Sequence, residues 1–287
     1  MIKVIALSSA VFTTSVLSAS SALVNRYSFG DAGGAAGSVV TDSVSGANGV
    51  VVGDGGLFSG GSLSLPGGAG NSTAAYVDLP NGILSAHSQV TVEAWYTQQG
   101  LQGWSRVWDF GSSIGGEVPG SGGGGQGQDY FMWANNRGTN IGQQRMEIRN
   151  LDAGTLGGGT GPVDGDTEPV DANLASSLGT QYHVAVAWDG IANTVSVYRD
   201  GQSIGSRAVT FGPQDMNDVN NWLGRSNWTN DAYFQGDFDE FRVWNNVFDD
   251  SMAAASFAAG PDSVIPEPSA IGLAGISGLL LLRRRRR

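Results

Sequence analysis

Cysteine is absent from the 287 residues, histidine occurs twice, and lysine occurs once, at Lys3. Without cysteine the chain has no disulfide, no thiol nucleophile and no thiolate zinc site. His87 and His183 lie far apart and form no paired zinc motif. His183 falls in an apolar run and is expected in the core; His87 is expected in a turn. Glutamate is scarce as well: Glu93, Glu117, Glu147, Glu168, Glu240 and Glu267 are all there are. Retaining glycoside hydrolysis uses two carboxyls about 5–5.5 Å apart. A strand supplies them most simply as Glu-x-Asp-x-Glu, because alternate residues share a face. No glutamate here begins such a series, so the sequence predicts a non-catalytic protein. Carboxyls from separate strands are the remaining route to an enzyme. The glycine-rich stretches lack the lysine and helix start of a phosphate cradle.

Positive charge is scarce wherever a folded body is expected. Apart from Lys3 and the five terminal arginines, the basic residues are nine arginines; set against 26 acidic residues, they leave residues 23–282 at −17. Such a body repels nucleic acid and anionic membranes. Long apolar runs are missing too. Residues 4–17 are apolar but rich in Ser and Thr, follow Met1-Ile2-Lys3 and precede Ser18-Ala19-Ser20-Ser21-Ala22. That order reads as a secretory signal peptide over residues 1–22, cut after Ala22 or, alternatively, after Ala19. A membrane helix is disfavoured by the short run.

The opposite end carries Pro266-Glu267-Pro268, an apolar segment over 270–282, and then Arg283, Arg284, Arg285, Arg286 and Arg287. The prolines oppose helix and sheet pairing and leave the tripeptide extended. The apolar segment has 13 residues, against the 17–25 or so that a spanning helix needs. Its arginines would stay on the cytoplasmic side. This tail, residues 264–287, resembles the PEP-CTERM sorting signal of Gram-negative bacteria. The resemblance implies transient anchoring in the inner membrane, cutting by an exosortase-type protease, and release to the cell surface. A plain tail anchor is the alternative.

What is abundant points to β structure. The chain has 45 glycines and 40% hydrophobic residues, and short β-branched and aromatic runs alternate with Gly, Asn, Asp and Pro clusters. Residues 89–97 alternate, with Val90, Val92, Ala94 and Tyr96 on one face and Thr91, Glu93 and Trp95 on the other. Residues 183–188 are apolar on both faces, which predicts a central strand. Residues 57–65 read as one strand, and 237–244 as the last long one. A single helical stretch is expected over 249–258, capped by Asp250 or Ser251. Gly-rich 111–128 and Gly/Asp-rich 152–171 read as long loops. No repeat is visible, and residues 23–260 read as one domain.

Within that domain, Asn25-Arg26-Tyr27-Ser28-Phe29, Tyr76-Val77-Asp78-Leu79-Pro80, Val90-Thr91-Val92-Glu93-Ala94-Trp95 and Val107-Trp108-Asp109-Phe110-Gly111 are followed by Val197-Tyr198-Arg199-Asp200-Gly201. Asn221-Trp222-Leu223-Gly224 and Asp237-Phe238-Asp239-Glu240-Phe241 close the series. In this order the motifs resemble bacterial LamG-like jelly-roll domains of the concanavalin A-like superfamily. The resemblance implies an all-β, two-sheet antiparallel sandwich. It also implies a structural Ca²⁺ joining the first and last strands, with Asp239 as late ligand and Asp31 as early ligand. An Asp239–arginine salt bridge, for instance to Arg26, is an equal alternative. Strict alternation places Asp239 in line with Asp237, Phe241 and Val243, where a carboxylate needs a partner.

Eight tryptophans are present. Trp95, Trp188 and Trp244 lie on expected strands, and Trp108 and Trp222 lie in the family motifs; these are expected to pack. Trp104 and Trp228 fall outside both and are the candidate sugar contacts. The combined expectation is an exported, non-catalytic surface or matrix protein that binds polysaccharide or another glycan. The alternatives are a glycan-active enzyme on the same fold and a purely structural surface protein.

Overall fold

The structure is a computed structural model and describes residues 23–114, 126–138, 142–150, 175–263 and the backbone of 163–164. Residues 1–22 and 264–287, with the expected signal peptide and sorting tail, lie outside the described residues, as does most of the acidic 152–171 stretch.

Two antiparallel sheets face one another. The first runs β14 (Gln202–Ala208), β13 (Thr194–Arg199), β12 (Gln181–Asp189), β7 (Gln89–Gln98), β16 (Tyr233–Trp244), β5 (Ser62–Gly68) and β4 (Leu57–Ser59), and β1 (Leu23–Tyr27) also pairs with β16. The second runs β11 (Val163–Asp164), β10 (Arg145–Arg149), β9 (Gly127–Ala134), β8 (Arg106–Ser113), β15 (Asn220–Leu223), β6 (Tyr76–Leu79), β3 (Gly49–Val52) and β2 (Val39–Val40). The all-β sandwich expected from the sequence is what forms.

The alternation read along β7 holds. Val90, Val92, Ala94 and Tyr96 enter the core, where they meet Val184, Val186 and Trp188 of β12. From the second sheet come Val107, Trp108 and Phe110 of β8 and Phe131 and Trp133 of β9. Trp108 stacks on Trp133 at 6.1 Å and meets Phe241 of the facing sheet at 6.2 Å. Truncating any one of these buried aromatics to alanine is worth about 3–5 kcal/mol of stability. Trp133 is thus a core residue on β9.

Three local expectations are corrected. Residues 57–65 form a hairpin, because Gly60 (φ 65°) and Gly61 (φ 87°) turn the chain between β4 and β5; two adjacent positive φ values are what such a tight turn requires. The helix, α1 (Asp250–Ala259), is capped by Asp249, whose side chain accepts the Met252 N–H, rather than by Asp250 or Ser251.

The third correction concerns Asp239. In the pairing of β16 with β7, Phe238 faces Tyr96 but Glu240 faces Trp95, so the register shifts by one between them. One extra residue in a strand moves everything after it to the opposite face. Phe238, Phe241 and Val243 therefore share the core. Asp239 is the inserted residue, half-buried at the bulge rather than in line with the apolar side chains.

Part of the outer face of the first sheet is covered. Helix α1 lies over it, and Ala253 packs with Ala185, Ala187, Tyr198, Trp244 and Phe248. Beneath the helix is Glu93, fully buried. His183 Nε2 lies 2.8 Å from its carboxylate, Trp244 Nε1 donates at 3.1 Å, Arg242 Nη1 at 3.5 Å, and the Ser256 hydroxyl also donates. Burial alone would raise the Glu93 pKa, but His183, Arg242 and Ser256 outweigh it and hold the carboxyl below its ordinary value. Arg242 lies 4.5 Å from the Trp95 ring and donates to the carbonyls of Pro261 (2.5 Å) and Ser263 (2.9 Å). The chain leaving α1 is thereby tied to β16.

Candidate functional site

The outer face of the second sheet is built differently. β8 has its own register shift: Arg106 faces Ala134, whereas Trp108 faces Trp133. Val107 and Trp108 consequently both enter the core, while Arg106 and Asp109 turn outward. They join outward residues of β9 (Tyr130, Met132 and Ala134) and of β10 (Arg145, Glu147 and Arg149), which are set opposite them in the ladder.

Two indoles far apart in the sequence settle on this surface. Trp104 precedes β8 with φ 59°, and Trp228 sits in the loop after β15; both pack against the Tyr130–Met132–Ala134 cluster. Tyr130 and Trp228 meet edge-on at 4.7 Å. Glycine makes room for each. A β-carbon at Gly127 would come within 2.6 Å of the Trp228 ring, and one at Gly138 within 2.9 Å of Trp104 Nε1.

Between the indoles lies Arg106, only 3% exposed. It donates to the Trp104 carbonyl (2.6 Å) and to Asp231 Oδ2 (2.9 Å), and its Nε is 3.5 Å from Asp109 Oδ2. Its guanidinium carbon is 5.1 Å from the Trp104 ring and 5.8 Å from the Trp228 ring, within cation–π range of both. Arg145 adds a second cation at 5.6 Å from Trp104 and pairs with Glu147 at 2.5 Å. Trp104, Arg106, Glu147, Trp228 and Asp231 together line an open cavity of about 300 Å³, at the lower end of the usual range for small-molecule sites.

The carboxylates are held by their surroundings. Asp109 is completely buried, which pushes its pKa up to about 6; Arg106 and the backbone and side-chain N–H groups of Asn227, at 2.9 and 2.8 Å, oppose the rise. Burial also raises Asp231, against the pull of Arg106 and of the Ser226 hydroxyl at 2.9 Å. Apolar ring faces beside fixed charged donors and acceptors suit a ligand with an apolar ring face and a polar rim.

Of the residues singled out in the sequence, Trp104 and Trp228 are brought to one cavity. The two acids expected to share calcium are engaged with different partners. Asp31 accepts from the Thr41 N–H (2.9 Å) and hydroxyl (2.5 Å). Asp239 accepts from Gln181 Nε2 at 2.9 Å. Among the described residues no group of three or more His, Cys, Asp or Glu side chains is placed to hold a metal ion. First and last strands are joined instead by Arg26 and Glu240, at 2.5 Å. The arginine anticipated as an alternative partner is thus present, but it takes the acid one residue further on, because the bulge turns Glu240 toward it. Pro266, Glu267, Pro268 and the five terminal arginines lie outside the described residues. Sequence reasoning missed Arg106, Glu147 and Asp231. The available signal was the Trp104-Ser105-Arg106 spacing, which puts an arginine two residues from a tryptophan outside any strand.

Domain 4 of AbnA, an extracellular family GH43 arabinanase from Geobacillus stearothermophilus solved with arabinotriose, superposes with a TM-score of 0.59 at 19% identity, over 82% of this chain and 98% of that domain. A Trypanosoma rangeli sialidase in complex with sialic acid gives a TM-score of 0.54 at 16% identity, over 82% of this chain and 32% of the sialidase, so this chain spans about a third of that enzyme. At such identities the likeness establishes the fold alone. No curated protein sequence matches the chain. The Laminin_G_3 family profile, described as the concanavalin A-like lectin/glucanases superfamily, matches residues 71–252. That is more than half of the sequence, and the chain therefore belongs to this superfamily.

Proposed function

We propose that the chain is a carbohydrate-binding module of an exported surface protein, with the sugar seated between Trp104 and Trp228 above Arg106. The observation that carries this reading is the convergence of both indoles, a buried arginine and two carboxylates on one open cavity. Pyranose and furanose rings have apolar C–H faces that lie on indoles, while their hydroxyls take hydrogen bonds from fixed charged groups. The arabinanase domain of the same fold, solved with arabinotriose, supports a glycan as the ligand class. The sequence resemblances at both ends supply the delivery: a signal peptide over 1–22, and a PEP-CTERM-like tail processed at Pro266-Glu267-Pro268 by an exosortase-type protease in a Gram-negative envelope. A glycan array followed by calorimetry tests the binding reading. Trp228→Ala is expected to weaken the best ligand by at least about tenfold with the fold intact, as for a buried aromatic anchor. Silence across the array would leave a purely structural surface protein.

A second reading has its own observation. Glu147 and Asp231 line the same cavity, and burial raises the Asp231 pKa, as a general acid requires. A glycan-active enzyme would release new reducing ends from a bound oligosaccharide and lose that activity in Glu147→Gln and Asp231→Asn. Intact oligosaccharide after prolonged incubation excludes it.

A further inference from the structure

A second cavity, of about 180 Å³, adjoins the first and shares Trp228 and Asp231 with it; Arg225, Tyr233, Asn71 and Ser72 are among its other wall residues. Arg225 is half-buried and held by rings. Its guanidinium carbon lies 4.5 Å from Trp222, 4.6 Å from Tyr76 and 5.7 Å from Tyr233. The rings are themselves packed together: Tyr76 meets Trp222 at 5.6 Å and Tyr233 at 6.2 Å. The platform is therefore buried and rigid, and it fixes the plane of the guanidinium.

What Arg225 lacks is an acid. The chain carries a net charge of −11, yet among the described residues no carboxylate is ion-paired with this arginine. The two nearby acids are engaged. Asp231 takes Arg106 and Ser226, and Asp78 takes Trp222 Nε1 at 3.1 Å. The Ser72 hydroxyl accepts only the Ala74 N–H, at 3.4 Å, among the described residues, which leaves its own hydrogen to donate into the cavity. A planar guanidinium with uncommitted N–H groups fits the paired oxygens of a carboxylate or sulfate.

Resting on the sugar-binding reading above, we propose that the ligand is an acidic oligosaccharide, with one ring between Trp104 and Trp228 and the anionic group of a neighbouring ring on Arg225. Adjoining cavities with a shared tryptophan wall call for an oligomer rather than a single sugar. The neutral part of the affinity resides in the indoles, and the selection for charge resides in Arg225.

The test uses the full chain and three probes: an oligogalacturonate, the same oligomer with its carboxyls reduced to alcohols, and a sulfated oligosaccharide of equal length. Calorimetry is expected to show an anionic probe bound at least about tenfold more tightly than the reduced one. Which anion binds better identifies the source. Arg225→Gln is expected to remove that preference and leave the affinity for the reduced oligomer unchanged, and Arg225→Lys to restore it in part. Equal affinity of the wild type for acidic and reduced oligomers, with Trp228→Ala still abolishing both, overturns the acidic ligand and leaves sugar binding standing. A preference for acids that survives Arg225→Gln overturns the assignment to this residue. No binding of any probe by the wild type overturns the acidic ligand, and the glycan array then decides whether sugar binding stands. Should Arg225→Gln fail to fold, the wild-type comparison repeated at rising salt decides, since an ion-paired subsite weakens with salt and an uncharged one does not.

Discussion

The two outer faces of the sandwich carry the same chemistry in different surroundings. On the first sheet, Arg242 lies over Trp95 with Glu93, Glu240 and His183 around it. On the second, Arg106 lies between Trp104 and Trp228 with Asp109, Asp231 and Glu147 around it. The first cluster is roofed by α1 and completely enclosed; among the described residues no helix lies above the second, which opens into a cavity. An arginine, its acids and an indole become structural when every donor is spent inward. They stay available to a ligand when ring faces and hydrogen-bonding groups are left at the surface.

The largest expected effects test that contrast through stability. Glu93→Ala leaves Arg242 buried without that carboxylate, and removing one partner of a buried pair costs about 3–5 kcal/mol. Chemical denaturation should show a loss of that order. Trp244→Ala, under the roof, should cost a similar 3–5 kcal/mol or so, whereas Trp228→Ala, at the open face, should change ligand affinity far more than the denaturation midpoint. Equal destabilisation by the two tryptophan variants would erase the distinction between the faces.

pH separates the faces next, with opposite signs. Glu93 is held below its ordinary value in the fold, so its contribution is present above the unfolded carboxylate pKa and is lost as pH falls through the lower folded one. Asp109 is raised to about 6, so its protonated form favours the fold, and its contribution fades as pH climbs from the ordinary carboxylate value to about 6. Melting temperatures across this range should therefore lose their downward slope between about pH 4 and 6 in Asp109→Asn. A slope unchanged by that substitution assigns the titration elsewhere.

The smallest effect sharpens the site itself. Gly127→Ala must push the Trp228 ring, which its β-carbon would meet at 2.6 Å. Affinity is expected to fall several-fold, with stability lowered by about 1–3 kcal/mol as for a modest overpacking. Unchanged affinity would mean that the ring position is not fixed by this glycine.

The sequence was legible where it was periodic. The alternation of β7 and the doubly apolar β12 both read correctly, since burial on one or two faces imposes those patterns directly. It failed at Asp239, where a single-residue bulge shifts the register; an inserted residue looks like its neighbours until the partner strand is known. It also missed the turn at Gly60-Gly61, although two consecutive glycines within an apolar run mark such a turn. Trp104 and Trp228 were picked out because they lay outside the strands and the family motifs. Their meeting was not legible, because it depends on β8 and β15 pairing side by side. Arg106 was missed for the same reason: the strand that carries it turns it outward only by virtue of the bulge.

The grip of Arg242 on the Pro261 and Ser263 carbonyls has a mechanical side. Tension applied to the chain beyond Ser263 is delivered to the middle of a sheet, to a strand clasped on both flanks, and not to the end of a short helix that would peel away turn by turn. A body hung from its tail would bear load at its strongest member, and Arg242→Met should lower its rupture force under single-molecule pulling.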